Sequence, residues 1–170
     1  MLERTRSRSV IVSCLDDEAA LATMPPCAHA IAVRIASDEI WLVGPASRAE
    51  PILAHAQRHL DRPGGYGVAT NVTDAWSVMT VSGSDVTRLW ERLSENPLPV
   101  ERPGFAQGAI AFVGAKAIVF DDRIVFFTPA PQGYHLEQRI MRGCADLSPQ
   151  VTEDRDLAIE PAVAWKAGPR

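Results

Sequence analysis

Residues 71–108 read NVTDAWSVMTVSGSDVTRLWERLSENPLPVERPGFAQG, and the order of signals inside them decides the fold. Trp76 to Val81 is apolar and β-branched and predicts a strand. Ser82-Gly83-Ser84-Asp85 supplies a turn and then a helix N-cap, with Asp85 well set against the positive helix end. Val86, Leu89, Trp90 and Leu93 follow at i, i+3, i+4 and i+7, the strongest helical period in the chain. Asn96-Pro97 stops the helix, and Phe105 to Gly108 opens another strand.

The same plan extends outward. Upstream, 29–36 and Ile40 to Val43 predict an antiparallel hairpin ending at Gly44-Pro45. Ser47-Arg-Ala-Glu50 has capping-box spacing, Pro51 fits the first helical turn, and Ile52, Leu53, Ala56 and Leu60 form a packing stripe. Asp61-Arg-Pro63-Gly-Gly65 ends that helix, and Val68 to Asp74 is extended. Downstream, Ala109 to Val113, Ala117 to Phe120 and Ile124 to Phe127 are strands, followed by a helix from Gln132 to Arg142. Strand-strand-helix, three times over, predicts an α+β fold: an antiparallel sheet with helices packed on one face. The expected boundaries are an N-terminal arm at 1–24, one domain at 25–147 and an irregular tail at 148–170. The arm, with Arg4-Thr5-Arg6-Ser7-Arg8, reads as a frayed, solvated end. The tail, dotted with Leu157, Ile159, Val163 and Trp165, is expected to pack on something. Trp165 and the basic terminus are the candidate contacts to a partner, an acidic protein in the case of the terminus.

Composition narrows the function classes. At 170 residues, 46% apolar and 22% charged, the chain is an ordinary globular domain, able to bury about 70% of its unfolded surface. A net charge of −4 gives no general reason to bind nucleic acid or an anionic membrane. No apolar run approaches the roughly 18 residues that cross a bilayer, and the N-terminus lacks a signal-peptide core, so a cytoplasmic location is expected. Cys14, Cys27 and Cys144 are odd in number and widely spaced, as suits reduced thiols.

Few residues offer chemistry. His55 and His59 share a helix face, but Ala56 stands where a zinc hydrolase needs glutamate. Cys27 and His29 could pair as thiolate and imidazole, yet nothing marks an oxyanion site or a third group to orient the base. Ser82-Gly83-Ser84 lacks the glycines of a dinucleotide loop and the lysine of a phosphate loop. Gly64-Gly65-Tyr66-Gly67 precedes a strand and reads as a linker. Asp121-Asp122 is by composition a hairpin turn.

Taken in order, these motifs resemble the gamma subunit of heterotetrameric sarcosine oxidase, a relative of the folate-binding domain of the glycine-cleavage T-protein (aminomethyltransferase). The resemblance covers about residues 25–145. It rests on Trp41-Leu42-Val43-Gly44-Pro45, Val72-Thr73-Asp74-Ala75-Trp76-Ser77, Val81-Ser82-Gly83-Ser84-Asp85-Val86, Phe105 with Gly108, and Gly133-Tyr134-His135-Leu136. Asn96-Pro97-Leu98 replaces the family's acidic-leucine pair, and a second tryptophan beyond the Gly-Pro turn is missing, so the chain resembles a divergent member. The resemblance implies a folate-binding-domain-like fold and a stabilising subunit without an active site of its own. It further implies larger flavoprotein and folate-domain partner chains that hold FAD, FMN, NAD and tetrahydrofolate and oxidise sarcosine or another N-methyl amine. Its alternative implication is a small folate-binding, one-carbon-transfer domain in which Asp121 or Asp122 anchors the pterin.

Overall fold

A computed structural model of the chain describes residues 2–147, 150–159 and 162–163. The chain divides into two compact units: Arg8–Thr73 with the described residues from Asp156 onward, and the residues before Arg8 with Asp74–Arg155. One 14-residue strand, β1 (Leu2–Leu15), contributes its second half to the former and its first half to the latter.

After β1, the first unit continues through α1 (Glu18–Ala22), β2 (Ile31–Ala36), β3 (Glu39–Pro45), α2 (Ala49–Leu60) and β4 (Val68–Asn71). This is a β-α-β-β-α-β order. Its sheet runs β4–β1–β3–β2, all antiparallel, with Val12 opposite both Leu42 and Asn71. Val10, Val12, Cys14, Ile40 and Leu42 point to one face, where Ile52, Ala56 and Leu60 of α2 and Leu21 of α1 complete a core.

The second unit repeats the order with one strand added: β5 (Trp76–Gly83), α3 (Val86–Leu93), β6 (Gly104–Ile110), β7 (Val113–Val119), β8 (Arg123–Pro129), α4 (Gly133–Gly143) and β9 (Gln150–Asp156). The first half of β1 pairs with β5, which continues antiparallel through β8 and β7 to β6. Met79, Val81, Ala117, Ile124 and Phe126 face Val86, Leu89, Trp90 and Leu93 of α3 and Leu136 and Ile140 of α4. Strand β9 pairs with β1, and β10 (Ala162–Val163) lies parallel to β2. In each unit the helices cover one sheet face, so the α+β fold of an antiparallel sheet with helices on one side is what the chain adopts. The opposite faces are apolar and buried too. Ile124, Val125, Phe126 and Phe127 are each at most 1% exposed, which is why β8 reads as a continuous apolar run without alternation.

Several expectations are corrected. The amino-terminal stretch is no frayed arm: Arg4, Arg6 and Arg8 alternate with Thr5 and Ser7, a period-two strand pattern. The segment after Ser148 is not irregular, because Gln150–Asp156 is strand β9, and Leu157 beyond it is buried. Trp165 lies outside the described residues. The extended segments Val68 to Asp74 and Trp76 to Val81 do not pair with each other: β4 pairs with β1 and β5 with β8 and β1, a 3-10 turn at Thr73–Ala75 separating them. Neither cap has the expected side-chain bond. A 3-10 turn at Ala46–Arg48 precedes α2 in place of a capping box, and Asp85 receives the Leu89 N–H on its carbonyl, not its carboxylate. Ala109 to Val113 is not one strand, because Ala111 (φ 52°) and Phe112 (φ 61°) form the two-residue tip between β6 and β7.

Candidate functional site

Asp121 and Asp122 form the exposed tip between β7 and β8. Arg123 donates to the Asp122 carboxylate at 3.1 Å and stacks over the Phe120 ring at 4.3 Å. The Asp122 carbonyl accepts the Gly83 N–H at 2.8 Å, so that donor of the Ser82-Gly83-Ser84 turn is already used. This tip is turn chemistry in which one acid is ion-paired.

The other sequence candidates hold the first unit together. His55 donates from Nε2 to the Pro25 carbonyl and His59 from Nε2 to the Ala20 carbonyl, each at 3.0 Å, tying α2 to α1 and the loop after it. Cys27 and Cys14 lie buried in the same core. Burial, then the neighbouring Cys27 and Glu39, pushes the Cys14 thiol up to about 12, where it cannot serve as a nucleophile near neutrality. Burial also pushes the Cys144 thiol up. Among the described residues, no group of three or more His, Cys, Asp or Glu could hold a metal ion. No described helix is long and apolar enough to cross a membrane. The basic run is occupied as well: Arg4 and Arg6 both pair with Glu137 of α4, and Arg8 with Asp156.

A groove that the sequence did not disclose lies in the first unit. Leu15, Asp16, Asp17, Asp38 and Tyr66 line about 370 Å³. Pairing of Leu15 with both Glu39 and Val68 brings together the chain segments that build it. Arg62 grips Asp16 through two bonds of 2.6 and 2.9 Å and reaches Asp17 at 3.1 Å. Burial raises the Asp16 pKa, but the Arg62 hydrogen bonds and charge, the Asp17 N–H and the nearby His59 hold it below the usual carboxylate value. A Cβ on Gly67 would sit 2.4 Å from Asp16 Oδ2, so glycine lets the loop pass close to that pair. The passage leaves Tyr66 94% exposed beside Leu15. Its sequence signal was an aromatic residue set among glycines, which reads as a linker until the acids are placed next to it.

No protein-family model matches the sequence, and no curated protein matches it. Solved structures similar in fold include the following two. One is a chain of the heterotetrameric sarcosine oxidase from Corynebacterium sp. U-96: 14% identity, TM-score 0.67, covering 87% of this chain and 85% of that one. The other is the glycine cleavage system aminomethyltransferase T from Bartonella henselae: 11% identity, TM-score 0.59, covering 89% of this chain and 47% of that one. This chain shares their fold. It spans about half of the aminomethyltransferase and most of the sarcosine oxidase chain.

Proposed function

We propose that this protein is a non-catalytic, stabilising subunit of a heteromeric flavin-dependent oxidase or dehydrogenase acting on sarcosine or another N-methyl amine, in the manner of a gamma subunit. The observation that carries this is the match in extent: 85% of a heterotetrameric sarcosine oxidase chain is covered, against 47% of the aminomethyltransferase. The side chains agree with an accessory role. His55 and His59, the core thiols and the basic strand are engaged in packing or pairing within the protein. On this reading FAD, FMN, NAD and tetrahydrofolate belong to the partner chains, and this chain supplies a shaped surface.

Purification of the tagged chain from its native cells tests the reading. A larger flavin-bearing chain in fixed ratio is expected, and oxidation of N-methyl amines only by the assembly. A chain that recovers no such partner, or that turns over an amine alone, overturns it. The shared fold of the aminomethyltransferase makes a folate-binding domain the second reading, with Asp121 or Asp122 as the pterin anchor. Calorimetric titration with tetrahydrofolate separates the two. No heat release is expected, whereas heat that disappears on Asp121→Asn with Asp122→Asn would favour the folate reading.

A further inference from the structure

We infer that the groove beside Tyr66 docks an arginine- or lysine-bearing segment of a partner polypeptide, an inference that rests on the accessory-subunit reading. Charge complementarity names the occupant. Three carboxylates line the groove, and Arg62 approaches Asp16 and Asp17. The Asp16 side chain is only 4% exposed and its charge is consumed by the bidentate Arg62 contact. Asp17, whose side chain is 65% exposed, and the exposed Asp38 leave a negative rim. The rest of the lining suits the remainder of a long cationic side chain. Tyr66 offers a ring face that attracts an ammonium or guanidinium group. Leu15 and its register partner Val68, 47% and 52% exposed, offer apolar surface for the methylene stem.

The groove is also prepared before any partner arrives. Arg62 fixes Asp16 and Asp17, Asp17 caps α1 by accepting the Ala20 N–H at 2.8 Å, and Asp38 is held near by the Asp16 N–H on its carbonyl at 3.2 Å. Charges held in place before binding cost less to organise when a cation arrives. A bare divalent cation lacks the ligand set, because among the described residues no three acidic, histidine or cysteine groups are placed to hold one ion. A long basic side chain uses the ring, the apolar stem site and the acid rim together.

The probe is the peptide acetyl-(Gly-Arg)4-amide, titrated into the isotope-labelled full chain and followed by amide shifts. Shifts confined to Leu15, Asp38, Tyr66 and Val68 and weakened by added salt are expected. Tyr66→Ala and Asp38→Asn should each weaken binding about two- to fivefold. Both side chains are exposed, so neither substitution threatens folding. Shifts spread evenly over the acidic surface, an affinity unchanged by Tyr66→Ala, or the same shifts from Mg²⁺ alone would each overturn the inference. In the purified assembly the double variant should dissociate at least fivefold more readily. An assembly indifferent to it sinks the groove proposal and leaves the accessory role standing. Peptide binding here in a chain that takes no larger partner overturns the accessory role alone.

Discussion

At Asp16, burial and charge pull in opposite directions, and charge wins because Arg62 meets the carboxylate with two donors. The native pKa lies below the ordinary value of 3.8, so the stabilisation is complete above that pH and is lost as pH falls through the lower native value. Asp16→Asn should therefore be less stable than the natural chain at pH 7, with the gap closing below about pH 4. Urea midpoints at pH 7 and pH 3 check this, and an equal gap at both would contradict it. Cys14 has the opposite sign. Its native value of about 12 exceeds the ordinary 9.0, so its contribution is whole below pH 9 and lost as the pH climbs toward 12. Cys14→Ala should flatten that alkaline limb of the stability profile. Gly44 makes a steric prediction: an added Cβ would meet the His29 carbonyl oxygen at 2.4 Å and Ile52 Cδ1 at 2.5 Å. Gly44→Ala should cost about 1–3 kcal/mol in denaturant unfolding, since backbone on one side leaves little room to relax.

Helix α3 was readable and strand β1 was not, and the difference is physical. Leu89, with no exposed surface, and Trp90 lie on a stripe whose period depends only on local geometry. Leu89→Ala should cost about 2–5 kcal/mol, measured by thermal or urea unfolding. The amino-terminal arginines depend on a residue far away in sequence. Arg4 is 6% exposed and is faced by Glu137 of α4, a pairing no local window contains. Glu137→Ala should cost about 3 kcal/mol by removing the carboxylate that faces a buried guanidinium, and Arg4→Met added to it should recover most of that loss. If the double variant stays as unstable as the single one, the pair is not what holds β1 to α4. The tip at Ala111-Phe112 was missed for a third reason. Such turns favour Asn-Gly, and here two ordinary residues accept left-handed backbone at about 1–2 kcal/mol each. The groove was hidden likewise: its acids and Tyr66 sit on separate connections that meet only once β1 has paired with β3 and β4.

At the scale of the molecule, one strand is common to two units that each have a core of their own. Leu2 to Arg6 of β1 pair with β5, and Ser9 to Leu15 pair with β3, leaving only Ser7 and Arg8 between the two ladders. A shift of one residue along β1 would turn every side chain of that strand to the opposite face. Val10, Val12 and Cys14 would leave the first core, and Leu2 the second. Loss of either ladder thus exposes apolar surface and unpaired backbone groups along the same strand. Unfolding of the two units is expected to be coupled. The test is amide exchange in Leu89→Ala, a change confined to the core around α3. Protection at Trp41, Leu42 and Val43 of β3 should fall by the same free energy as at Val125 to Phe127 of β8, about 2–5 kcal/mol. Unchanged protection in β3 beside weakened protection in β8 would mean that β1 bends at Ser7-Arg8 and the units open independently.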